Sequence, residues 1–149
     1  MRYEVISLDS NVVIAALNPR DAHHEAAVRF LDAHAGDVLV LPAAVYAEVL
    51  ALPGGKAVRK FLKEFRLRPV FSAMDSPKVW EFAAERYAQY VQNRKRSGGG
   101  EPRRILADFL IGAQALASPG EGYTPAIATF DPGVYARYFP ELKLYDPRS

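Results

Sequence analysis

Residues 3–19, YEVISLDSNVVIAALNP, decide the fold class. Tyr3 to Leu8, rich in Val, Ile and Tyr, predicts a strand. Asn11 to Leu17 predicts a short apolar helix directly after it. The same step from strand to helix recurs along the chain, the pattern of an α/β domain with a mainly parallel sheet. Asn18-Pro19 restarts the chain: Asn18 fits an N-cap, Pro19 the first helical position and Asp21 the positive end of the dipole, for a helix running to about His34. Val38 to Leu41 is a second strand, and AAVYAEVLAL after Pro42 a helix that stops at Pro53-Gly54-Gly55. Lys56 to Phe65 is amphipathic, Leu67 to Phe71 a third strand, and Ser76-Pro77 opens a long helix ending in the polar loop NRKRSGGGEP. Pro102 to Leu116 is the most apolar helix. Ala126 to Thr129 is a fourth strand, and Leu142 to Tyr145 supplies a fifth at the edge of a four- to five-stranded sheet.

The 149 residues fit one domain spanning 1–149, without an internal repeat; Gly98-Gly99-Gly100 is too short to link two. Half the residues are apolar and a quarter charged, the balance of a globular protein that buries a full core. A net charge of +2 does not make nucleic-acid binding the default, yet permits a local basic patch. The absence of cysteine excludes a disulfide scaffold, a Cys-ligated zinc site and a cysteine nucleophile, and suits a reducing cytoplasm. His23 and His24 are adjacent and so do not share a helix face as a zinc pair would; both are expected at the surface or half-buried. The longest uncharged runs, such as Phe109 to Gly120, fall short of the ~18–20 residues of a membrane span. Glu4 and Asp9 interrupt the first apolar stretch, against a secretory signal. The expected location is the cytoplasm.

Of the seventeen acidic residues, four stand in apolar company: Asp9 in VISLDSNVVIAAL, Glu48 in AAVYAEVLAL, Asp108 in ILADFLIGAQAL and Asp131 in ATFDPG. A buried carboxylate is costly unless paired, hydrogen-bonded, protonated or metal-bound. Asp9 ends the first strand and Asp131 follows the fourth. Glu48 and Asp108 lie within two turns of the helices after the second strand and before the fourth. With the first strand central, all four would gather at the C-terminal sheet edge, where open α/β sheets bind ligands. Two unit charges at about 4 Å repel by about 4 kcal/mol at an effective dielectric of about 20. No lysine lies in the runs carrying Asp9, Glu48 and Asp108 to offset this. An all-oxygen donor set selects Mg2+ or Mn2+, which suit phosphodiester hydrolysis: the ion acidifies a water and stabilises the leaving oxygen. Ser10, Asn11 and Thr129 could orient the carboxylates or a bound water; helix capping is the competing role for Ser10 and Asn11.

These segments resemble a PIN domain, the metal-dependent ribonuclease fold, and more narrowly the VapC-type toxins of bacterial and archaeal toxin–antitoxin pairs. LDSNVVIAAL resembles the family's opening Asp–Thr/Ser–Asn motif, AVYAEVLAL carries its Glu, DFLIGAQAL its Asp–x–x–Ile–x–Ala helix, and ATFDPGVYARYFPELKL its closing Thr–x–Asp strand and tail. The resemblance implies a three-layer α/β/α fold and an endoribonuclease binding one or two Mg2+ or Mn2+ ions. Its products would carry 5′-phosphate and 3′-hydroxyl ends. Asp9, Glu48 and Asp108 would be the stringent acids and Asp131 the variable fourth. The resemblance also implies a small antitoxin partner and a homodimer. Gly133 stands where many members carry another Asp or Asn, and Gly112 where Ala is common.

Arg94, Lys95, Arg96, Arg103 and Arg104 crowd the loop before the Asp108 helix; they read either as a basic lip gripping RNA phosphates or as a solvated loop. The aromatics of the Ser76 helix read mostly as core at helical spacing. GGGEPRR lacks the Gly–Lys–Ser/Thr ending of a phosphate loop, and neither a dinucleotide fingerprint nor a nucleophile elbow is present. Two other readings compete: a non-catalytic RNA-binding or scaffold module, and an aspartyl phosphotransferase with Asp9 as nucleophile. The latter usually wants an Asp where Asn11 stands.

Overall fold

Five strands form one sheet, parallel throughout, in the order β3-β2-β1-β4-β5. In chain order the elements are β1 (Val5–Leu8), α1 (Ser10–Leu17), α2 (His24–Ala33), β2 (Val38–Pro42), α3 (Ala43–Leu50), α4 (Gly55–Glu64), β3 (Arg68–Val70), α5 (Pro77–Arg96), α6 (Leu106–Ala117), β4 (Ala126–Ala128), α7 (Gly133–Tyr138) and β5 (Lys143–Tyr145). The computed structural model describes residues 3–99, 105–117 and 122–149. The helices complete an α/β/α arrangement around the sheet. Among the described residues no helix is long and apolar enough to cross a membrane.

The burial of each strand follows its place. Ile6 and Leu8 of β1, Leu39 to Pro42 of β2 and all of β4 are buried, the near-continuous apolar reading of parallel strands covered on both faces. The outer strands β3 and β5 each begin on an exposed basic residue. From β1 the chain winds outward through β2 and β3, then crosses back to β4 on the other side of β1. The order reverses between β1 and β4, and the crevice at their C-terminal ends is the switch point of the sheet. The Asp9 N–H closes this seam on the Ala128 carbonyl at 2.9 Å.

Two corrections concern helices. The second helix starts at His24, not near Pro19. Asn18 Oδ1 accepts the Arg20 N–H and Asp21 Oδ1 the His23 N–H, so local side-chain bonds hold this segment in turns before the helix can begin. The segment from Gly133 to Tyr138, read only as part of a tail, forms α7. The predicted helix start at Pro102 lies outside the described residues.

Two residues of α6 fix its position. A Cβ at Gly112 would stand 2.6 Å from Cε2 and 2.7 Å from Cζ of Phe139, a fully buried ring. Glycine therefore lets α6 approach the end of α7 more closely than alanine could. Gln114, the one strongly polar side chain of that helix beside Asp108, is buried: its Oε1 accepts the Ala43 N–H at 2.8 Å and its Nε2 donates to the Val70 carbonyl at 2.7 Å. The first bond caps α3, whose N-cap residue Pro42 has no side-chain acceptor. Gln114 thus ties the helix of Asp108 to the helix of Glu48.

Candidate active site

Asp9 follows β1 and caps α1, its Oδ1 accepting the Ser10 N–H at 2.8 Å. Its Oδ2 accepts the Thr129 hydroxyl at 2.9 Å and the Tyr135 hydroxyl at 3.3 Å. Only 8% of Asp9 is exposed. Burial pushes its carboxyl above the usual range; the bonds from Thr129, Ser10 and Tyr135 pull it back, and the charge of Asp108 adds to the rise.

Thr129 is the hub of the crevice. Its Oγ1 accepts from Asn11 Nδ2 at 3.2 Å and from the Asp131 N–H at 3.0 Å. With both lone pairs engaged, its hydrogen is directed to Asp9. Asn11 in turn accepts the Phe130 N–H at 3.1 Å on Oδ1. Asn11 therefore braces α1 against the β4–α7 connection; the capping role considered for it falls to Asp9. Ser10 contributes its backbone N–H. Tyr135, which sequence reading missed, reaches Asp9 from α7, and its only signal was an aromatic residue spaced with Val134 and Tyr138 along an unrecognised helix.

Asp108 lies in the first turn of α6, half-buried, and its Oδ2 accepts the Ile105 N–H at 3.2 Å. Asp131 is half-buried just before α7 and contributes to the field around Arg148, whose main partner is Asp146. Glu48 departs from expectation: it is exposed. Val45 and Val49 form the inner face of α3, and Glu48 falls on the flank of that arc. The apolar composition of AAVYAEVLAL does not show which face a given residue takes.

The four acids are therefore not drawn into one buried cluster. Among the described residues, no three His, Asp or Glu side chains stand close enough together to hold a metal ion. The donor chemistry fits a hard divalent cation at Asp9 and Asp108: two carboxylates in mutual repulsion, one of them buried, with oxygen donors around them. Glu48 would have to turn inward from the flank of α3 to join them, and α3 does pack against both α1 and α6.

Arg94, Lys95 and Arg96 form the last turn of α5, where cations also suit the helix dipole. Arg94 is half-buried; Lys95 and Arg96 are exposed. Arg103 and Arg104 lie outside the described residues. His23 and His24 are both half-buried, as expected; His23 stacks on Phe130 at 4.5 Å, and His24 Nδ1 lies 2.9 Å from the Ala15 carbonyl.

The family model of the PIN domain matches residues 6–139. No curated protein sequence matches the chain. Several solved structures share the fold, among them two of VapBC. One is a crystal structure of VapBC2 from Rickettsia felis bound to a DNA fragment from their promoter, with a TM-score of 0.57, 19% identity, and coverage of 95% of this chain and 99% of that one. The other is a crystal structure of DNA-bound VapBC from Salmonella typhimurium, with a TM-score of 0.61, 14% identity, and coverage of 98% and 99%.

Proposed function

The chain belongs to the PIN domain family, and we propose that it is a Mg2+- or Mn2+-dependent endoribonuclease, the toxin of a toxin–antitoxin pair acting in the cytoplasm. One observation carries the reading: Asp9 is buried at the switch point of the sheet with the charge of Asp108 acting on it, an arrangement whose cost a divalent cation would offset. Residues 1–149 would act as a single domain, as a homodimer restrained by a small antitoxin. Both fold neighbours are structures of VapBC, which supports that partner.

Asp9 and Asp108 would hold the ion, with Glu48 and Asp131 completing its surroundings directly or through water. When bound, the ion would supply an acidified water for attack at phosphorus and screen the charge on the leaving oxygen. The chain's own contribution is orientation. The bonds from Ser10, Thr129 and Tyr135 fix the Asp9 carboxylate, and Asn11 and Thr129 tie the start of the Asp131 segment to it. The phosphotransferase reading is disfavoured because Asn11 stands where that chemistry usually wants a second Asp, and its amide is engaged by Thr129 and the Phe130 N–H.

The test is cleavage of a mixed single-stranded RNA pool. Mg2+ or Mn2+ is expected to be required, EDTA to stop the reaction, and the new ends to carry 5′-phosphate. Cleavage that persists in EDTA, or RNA left intact with either ion, would contradict the reading.

A further inference from the structure

A cavity of about 380 Å3 lies between the last turns of α5 and the outer face of α7. Its walls include Arg94 and Ser97 on one side and Arg137 on the other, over a floor formed by Tyr90 and Tyr138. Among the described residues that line it there is no Asp or Glu. The floor is fixed: Asn93 Nδ2 donates to the Tyr138 hydroxyl at 3.1 Å, and the Tyr90 ring meets the Tyr138 ring edge-on at 5.8 Å. The guanidinium of Arg137 lies 5.5 Å from the Tyr138 ring centre. Arg94 is placed by its surroundings, since a Cβ on Gly99 would stand 3.2 Å from its Cζ.

Two short links join the cavity to the segments that carry Asp131 and Asp108. Gly133, on its rim, is two residues beyond Asp131. The Tyr90 and Tyr138 rings both pack on Phe109, the residue after Asp108, at 5.5 and 5.8 Å.

We propose that this cavity is a subsite for a nucleotide of the RNA strand next to the cleaved bond, with Arg94 and Arg137 binding its phosphate. The assignment rests on the reading of the chain as an RNA-cutting nuclease. Acidic side chains at the cleavage point repel the strand they must engage, and guanidinium groups one step away supply the attraction. Their fork of donors matches phosphate oxygens. The Asn93 amide, the Ser97 hydroxyl and the tyrosine hydroxyls add donors and acceptors of the kind that recognise ribose and phosphate. The volume lies within the range of small-ligand sites, enough for one nucleotide.

The test is fluorescence anisotropy with a short single-stranded RNA in EDTA, so that binding is read without catalysis, over a series of KCl concentrations. Arg137→Ala is expected to weaken binding roughly 5–10-fold at low salt and to make the log–log salt slope shallower by about 0.7, one phosphate contact on a single strand. Arg94→Ala should do the same. Lys60→Ala, an exposed cation on α4 outside the cavity, should leave the slope unchanged. Arg137 is exposed on α7, and circular dichroism of the variant checks that the fold is kept. Unchanged affinity and slope in Arg137→Ala, in a parent that binds and cleaves RNA, would overturn the subsite and leave the nuclease reading standing. A parent that neither binds nor cleaves RNA would overturn both. A polyglutamate peptide of matched charge that displaces the RNA equally well would make the cavity a dock for acidic protein and overturn the nucleotide assignment.

Discussion

Asp108→Asn is expected to lose more than ~100-fold in metal-dependent RNA cleavage while the fold survives. The two consequences separate because Asp108 has two roles. As a cap it accepts the Ile105 N–H at 3.2 Å, and the asparagine oxygen can accept the same bond. The charge near the start of α6 is worth only a few tenths of a kcal/mol to about 1 kcal/mol at an exposed helix end, and removing it also relieves the repulsion on Asp9. Unfolding free energy should therefore change by less than about 1 kcal/mol. As an ion ligand it has no neutral substitute: groups that merely orient a ligand cost ~10–100-fold when removed, and a ligand itself should cost more. Single-turnover cleavage at saturating Mn2+, beside a urea melt, measures both. Equal rates for variant and parent would remove Asp108 from the site.

Thr129→Val is expected to lower stability by about 2–3 kcal/mol and to do so unevenly with pH. Valine keeps the volume of this fully buried side chain but removes a hydroxyl that serves three partners. Asn11 Nδ2 and the Asp131 N–H lose their acceptor, and Asp9 loses a donor. Asp9 sits above its ordinary range in the folded chain, so between its unfolded and folded values the native state binds the extra proton. Its contribution is then complete below the unfolded value and is lost as pH rises through the folded one. Removing the Thr129 hydroxyl takes away a bond that holds the Asp9 carboxyl down, so the folded value climbs further. The deficit of the variant should grow as pH rises from below the ordinary aspartate range through the raised folded value of Asp9, in urea melts with EDTA present. A deficit that stays flat across that range would show that Thr129 does not support the Asp9 charge.

Much of the fold was legible because parallel strands buried on both faces announce themselves as short runs of Val, Ile and Leu. β1, β2 and β4 were found this way, and the central place of β1 follows from its burial. The positions of Asp9 and Asp131 were legible because Asp9 directly follows β1 and Asp131 comes three residues after β4, where chain direction alone sets the place. Helical residues were less so. The run containing Glu48 is apolar nearly all round, so its period does not separate the inner arc of Val45 and Val49 from the flank where Glu48 is exposed. The start of α2 was displaced by side-chain bonds of Asn18 and Asp21 that compete with helix formation. α7 is only six residues long, too short for a periodic signal, and Tyr135 was hidden with it. Gln114 stood out as polar, but its partners, Ala43 and Val70, are 71 and 44 residues away in the chain.

A crystal structure grown with Mn2+ and measured at its anomalous edge asks most directly whether an ion joins these acids. One peak is expected within about 2.1 Å of carboxylate oxygens from both Asp9 and Asp108, with Glu48 turned inward from α3 toward it. Saturating Mn2+ that leaves Asp9 and Asp108 without an ion, and Glu48 still facing solvent, would contradict it.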